Sequence, residues 1–218
     1  MKITKAAKIV LHGRPGSGSA VCEALLELAD IDFTLKQAAK RPDGSPPKDL
    51  LAVNPLGQVP ALVTAKGMAM TESAAITLWI ADLVPDKKLA PAISDPKRAE
   101  YLRWMLFMAA NCYMTGLRFY YPDRYTTDPK HAGAVAAQAK HHANAEWEIL
   151  TKALGSHDFL LGKKLCAADV YLAMLVSWED DFAQFSNSFP KLASHSLRVA
   201  KNRKIAAVWK RHGFRTAV

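Results

Sequence analysis

Asn54-Pro55-Leu56-Gly57-Gln58-Val59-Pro60-Ala61-Leu62, followed after a short gap by Thr71-Glu72-Ser73-Ala74-Ala75-Ile76, is the stretch on which the fold turns. Pro60 directly precedes an apolar run at 61–63 that reads as a strand, where a proline can begin the strand without donating to its ladder. The Val59-Pro60 bond, set in a tight bend, is a candidate cis peptide. If it is cis, the backbone N–H and C=O of Val59 face outward as an unpaired edge that an extended peptide can join as an added strand. Glu72 and Ser73 open the next helical run, and a helix start offers free N–H groups and a positive dipole end to a carboxylate. One short segment therefore supplies both a peptide-backbone receptor and a carboxylate receptor.

Through Asn-Pro-x-Gly-x-Val-Pro-Ala-Leu at 54–62 and x-Glu-Ser-x-Ala-Ile at 71–76, the chain resembles the glutathione transferase superfamily, as a bacterial member of serine type or outside the named types. Gln58-Val59-Pro60 and Glu72-Ser73 are the core of the match. The resemblance implies a thioredoxin-like N-terminal domain that binds the tripeptide glutathione. Val59 would clamp its cysteinyl backbone, Glu72 and Ser73 its γ-glutamyl end, and Gln58 a neighbouring peptide or carboxylate group.

Working outward toward the N-terminus, residues 8–12 read as a buried first strand and 20–30 as a helix with Val21, Ala24, Leu25 and Leu28 on one face. The loop between them, Gly13-Arg14-Pro15-Gly16-Ser17-Gly18-Ser19, is glycine-rich but has neither the Lys-Ser/Thr ending of a P-loop nor dinucleotide spacing. In the resembled family this position holds the residue that hydrogen-bonds the glutathione sulfur. A hydroxyl and a helix N-terminus both favour a thiolate, and Ser17 and Ser19 are the hydroxyls present. No tyrosine or cysteine stands there, and the choice between the serines is open, each also being a candidate helix cap. A second strand at 33–38 leads into a Pro- and Gly-rich loop whose Lys40, or Lys48 beyond it, matches the family's cation for the glycyl carboxylate. With a short helix at 48–53, strands at 61–64 and 68–70 and a helix at 72–82, the order is βαβαββα. That order predicts a mixed four-stranded sheet over 1–84.

The segment 85–94 reads as a linker, proline-bounded and charged, and after it strand patterning disappears. Residues 95–218 read as an all-helical domain. Asp95-Pro96 and Asp128-Pro129 begin helices there, and the tetrad at 166–169 resembles the family's Ser/Thr-x-x-Asp capping box with Cys166 in place of the hydroxyl. Met105, Met108 and Tyr113 are the residues assigned to a cleft for a small hydrophobic electrophile.

The 218 residues carry a net charge of +9, and half are hydrophobic, which excludes a disordered chain. The bases are scattered, and the densest group, over 201–215, sits at helical spacing and reads as a solvated helix face rather than a nucleic-acid surface. No apolar run approaches a membrane span, and three widely spaced cysteines without metal-ligand spacing imply reduced thiols, no metal and a cytoplasmic setting. The expected function is conjugation of glutathione to an electrophile. Peroxide reduction, dehalogenation or a non-catalytic glutathione-binding scaffold are the alternatives, and the resemblance implies a homodimer.

Overall fold

The structure is a computed structural model and describes residues 8–39 and 41–216. The chain divides into two compact units, one running up to Ala92 and joined by Leu197 onward, the other Ile93–Ser196. Residues from Leu197 onward, which the sequence reading places in the helical domain, group with the first unit.

In the first unit, β1 (Ile9–Gly13), α1 (Ser19–Leu28), β2 (Phe33–Gln37), α2 (Lys48–Leu51), β3 (Ala61–Val63), β4 (Ala69–Met70) and α3 (Ser73–Leu83) follow the predicted order. The four strands form one sheet in the order β2-β1-β3-β4. β1 runs parallel to β2 and antiparallel to β3, and β3 is antiparallel to β4, so the sheet is mixed. Leu11, Ala61 and Leu62 on the strands, Ala20, Leu25 and Leu26 on α1, and Ile76 and Ile80 on α3 are all without solvent exposure and form the core. The β1–α1–β2 unit is a parallel crossover, and its helix is buried on nearly every turn because the sheet and α3 both cover it.

The second unit is helical. α4 (Arg98–Phe107) and α5 (Tyr113–Tyr120) are joined by a π-helical turn, Met108–Cys112. α6 (Ala132–Leu154) follows, then α7 (Ala167–Val176), α8 (Phe182–Ser188) and α9 (Pro190–Val199), whose last residues belong to the first unit. Every residue of α7 is buried, as expected for a helix that is apolar all round. Cys166 and Asp169 form a capping box, the Cys166 side chain accepting from the Asp169 backbone N–H. Asp169 accepts from the Cys166 N–H at 2.8 Å and from its thiol at 3.1 Å, so the cysteine donates twice to the carboxylate. The other Asp169 oxygen accepts from Leu160 N–H at 2.8 Å and pairs with His195 Nε2 at 2.9 Å.

α10 (Arg203–His212) returns to the first unit and lies along α1. The basic stripe read as a solvated face is in part paired. His212 Nε2 meets Glu23 Oε2 at 2.8 Å, Arg211 Nε donates to Glu23 Oε1 at 2.6 Å, and Lys204 joins Lys87 on Asp30. Glu23 and Glu27 stand four residues apart on one face of α1, and Asp30 follows just beyond its C-terminal end.

Candidate functional site

The sheet register brings the sequence-predicted segments to one edge. In the β3–β4 pairing Leu62 faces Met70 and Val63 faces Ala69, so continuing the ladder by two residues sets Pro60 opposite Glu72. In the β1–β3 pairing His12 faces Ala61, which carries Gly13 to the level of Pro60. Ala38 N–H donates to Gly13 C=O at 2.8 Å, so the loop after β2 leaves from the same place. Four segments thus converge at one end of the sheet: the 14–18 loop, the 38–47 loop, the proline corner and the start of α3.

At the corner the Val59-Pro60 bond is cis. Pro60 is fully inside, Val59 packs beside Ala38, Leu50 and Ala61, and neither backbone group of Val59 takes a partner among the described residues. The corner is braced from within by Asn54, which sequence reasoning did not single out. Its side chain donates to Gln58 C=O at 2.8 Å and accepts from Leu56 N–H at 3.1 Å, an Asx-type turn that Asn-Pro at 54–55 signals. Gly57 has φ +63°, and a Cβ there would fall 2.3 Å from Pro46 Cγ, so the turn requires glycine. The Gln58 side chain is exposed beside the open backbone edge.

Glu72 is the N-cap of α3 at φ 68°, a left-handed conformation that costs a non-glycine residue about 1–2 kcal/mol. Its C=O accepts from Ile76 N–H at 2.9 Å, which closes the first helical turn, the positive end of the helix lying at Ser73. Its own side chain is exposed. Ser73 is nearly buried, and its C=O accepts the Cys22 thiol at 3.7 Å, tying the start of α3 to the first turns of α1. Burial pushes the Cys22 thiol far up, which keeps it a neutral donor.

The two serines differ. Ser19 has no solvent exposure and fits against Gly13, where a Cβ would lie 2.8 Å from its Oγ. Its Oγ accepts from Arg14 N–H at 3.1 Å and lies 3.2 Å from Arg14 C=O. Ser17 is half-buried, 2.7 Å from the same carbonyl and 2.9 Å from Ser19 Oγ. Two hydroxyl protons and one backbone carbonyl therefore share this knot. The carbonyl accepts from both hydroxyls, so the Ser17 proton turns outward only by leaving Arg14 C=O.

The profile of the glutathione S-transferase N-terminal domain matches residues 19–83, and that of the glutathione S-transferase C-terminal domain matches residues 116–212. The chain belongs to the glutathione transferase superfamily. It is 28% identical over 205 residues to the uncharacterized GST-like protein YncG of Escherichia coli K12, covering 94% of this chain and 98% of that one. It is 29% identical over 171 residues to glutathione S-transferase GstA of Escherichia coli O157:H7, covering 77% and 81%. Among solved structures it resembles a sphingomonad glutathione S-transferase complexed with glutathione, with TM-score 0.77, 28% identity and coverage of 94% and 98%.

Lys40 lies outside the described residues, and Lys48 is exposed at the start of α2. Met105 and Met108, expected in an electrophile cleft, have no solvent exposure and are core side chains. They are three residues apart on the inward face of the helix, so their apolar character reports packing. Tyr113 is half-buried, its ring set edge-on against Trp178 with centroids 5.0 Å apart. No group of three or more potential metal ligands forms among the described residues, and none of their helices is long and apolar enough to cross a membrane.

Proposed function

We propose that this protein is a glutathione transferase that conjugates the glutathione thiolate to a small hydrophobic electrophile. The cysteinyl backbone of glutathione pairs with the open N–H and C=O of Val59, in the manner of an added strand. The γ-glutamyl carboxylate takes the α3 start at Ser73, the γ-glutamyl ammonium takes the Glu72 carboxylate, and Gln58 meets the peptide next to the cysteine. Lys40 is proposed for the glycyl carboxylate. What carries this reading is the convergence of an unpaired backbone edge, a helix start and a hydroxyl at one end of a single sheet.

Ser17 is the proposed sulfur ligand, and Ser19 holds it in place. The thiol gives its proton to water, the Ser17 hydroxyl donates to the sulfur, and the α1 start adds a favourable dipole. The sulfur then forms a bond to the electrophilic carbon as the leaving group departs with its electron pair. A Ser17→Ala variant is expected to keep glutathione affinity within about threefold while lowering the rate about tenfold to a hundredfold with an activated aryl halide, which corresponds to ~1.4 kcal/mol per tenfold. Its thiol should titrate at higher pH, read from thiolate absorbance in the complex. An unchanged rate and titration in this variant would remove the assignment.

A second reading, a glutathione-binding scaffold without turnover, is favoured by one observation: the Ser17 hydroxyl already has an acceptor in Arg14 C=O. Retention on immobilised glutathione without aryl-halide conjugation selects it. A homodimer in the cytoplasm completes the proposal, and sedimentation velocity tests the dimer.

A further inference from the structure

Within the second unit, α5, α6, α8 and the segment after α7 enclose a cavity of about 320 Å³, all of whose lining residues lie between 112 and 189. Tyr120, Trp147, Trp178 and Phe185 supply aromatic walls, and Trp147 and Phe185 meet edge-on with centroids 5.6 Å apart. Four carboxylates, Glu146, Glu179, Asp180 and Asp181, share the lining with one ammonium group, Lys140. The chain as a whole has a net charge of +9, so this cavity runs against the charge of the molecule.

Two of these acids are placed at a cost. Glu146 and Glu179 are partly buried, and burial pushes both carboxyls up. Their hydrogen-bond donors are neutral: Thr115 Oγ1 at 2.8 Å and the Cys112 thiol for Glu146, and Trp147 Nε1 at 3.1 Å for Glu179. Neither has a cationic side chain within 4.0 Å among the described residues, although Arg118, His142 and Lys140 act on them from farther away. The arginines that lie over rings among the described residues cover Tyr101, Trp104, Tyr121 and Tyr125, which leaves Trp147 and Trp178 without a cation over the ring, while Phe185 is packed by Trp147, Phe182 and Phe189. Aromatic faces and unpaired carboxylates attract the same class of ligand.

We propose that this cavity binds a small organic cation with an apolar body, such as an aryl or alkyl ammonium compound, its charge facing Glu179 and Glu146 and its body against Trp147 and Trp178. The site is built only from the second unit and does not depend on the glutathione reading.

Calorimetric titration of the full chain with benzyltrimethylammonium tests it, with benzyl alcohol as the neutral aryl control and benzenesulfonate as the anionic one. One cation per chain with submillimolar affinity is expected, with both controls weaker by about tenfold or more. Glu179→Gln, which keeps an acceptor for Trp147, should weaken the cation about fivefold and leave benzyl alcohol unchanged. Asp180→Asn, on an exposed side chain, should weaken it about twofold and serves if Glu179→Gln fails to fold. Equal binding of cation and alcohol, no binding of the cation, or unchanged cation affinity in the folded variants overturns the proposal.

Discussion

Glu72 holds φ 68° at the head of α3 with an exposed carboxylate, a combination that folding alone does not favour. If the position exists to present that carboxylate to an ammonium group, Glu72→Gly should separate the two roles. Thermal unfolding should show stability unchanged or raised by up to ~1 kcal/mol, since glycine adopts this conformation freely. Glutathione affinity should fall about tenfold or more, the loss of a charge-assisted contact. A variant that loses stability and keeps affinity would make the residue structural. The serine pair makes the same point from the other side: sequence presents two hydroxyls two residues apart, and only burial separates them. Nothing local to Ser17-Gly18-Ser19 says that Gly13 packs on the second serine, because that contact is made by the path of the chain out of β1.

Between elements, the α1–α10 pairing is the clearest case of a contact without a local signal. Glu23 is buried and is held below its ordinary 4.5: burial alone would raise it, but the hydrogen bonds from His212 and Arg211 outweigh that effect. A depressed carboxylate contributes stability above its unfolded value that disappears as pH falls through its folded one. The gap in unfolding free energy between wild type and Glu23→Ala should therefore be largest near neutrality, about 3 kcal/mol, and should close below pH ~4.5 in denaturant titrations. A gap that stays constant from pH 7 to pH 3 would contradict the pairing. Asp169 in the second unit takes four donors with no exposure, and Asp169→Ala should cost about 3–5 kcal/mol by the same measurement. The strands and their order were legible because proline, glycine and β-branched runs punctuate them, and the Asp169 cap was legible because it is three residues from Cys166. His195 and His212 were not, since their partners are 26 and 189 residues away and a lone histidine on an apolar face has no distinguishing spacing. Met105 and Met108 were misassigned for the converse reason, as apolar residues at helical spacing look the same in a core and in a cleft.

For the whole molecule, the first unit is not a contiguous piece of sequence. Residues from Leu197 onward cover α1, so the chain leaves for the helical unit and comes back. Periodicity alone assigned this last helix by type, helical, rather than by partner. A chain cut after residue 196 should lose the ion pairs on Glu23 and the Lys204 pair on Asp30, Lys87 remaining, and expose the α1 face that Ile205, Val208 and Trp209 accompany into the core. The family membership, the mixed sheet and the meeting of four loops at one end of it lead to a single claim, that this end receives glutathione. The direct measurement is calorimetric titration of glutathione into the full chain, beside cysteinylglycine, which lacks the γ-glutamyl group, and S-methylglutathione, which keeps the backbone but not the thiol. The account predicts one glutathione per chain, S-methylglutathione bound within about tenfold of it and cysteinylglycine weaker by about tenfold or more. No heat from glutathione, or equal binding of cysteinylglycine, would contradict it.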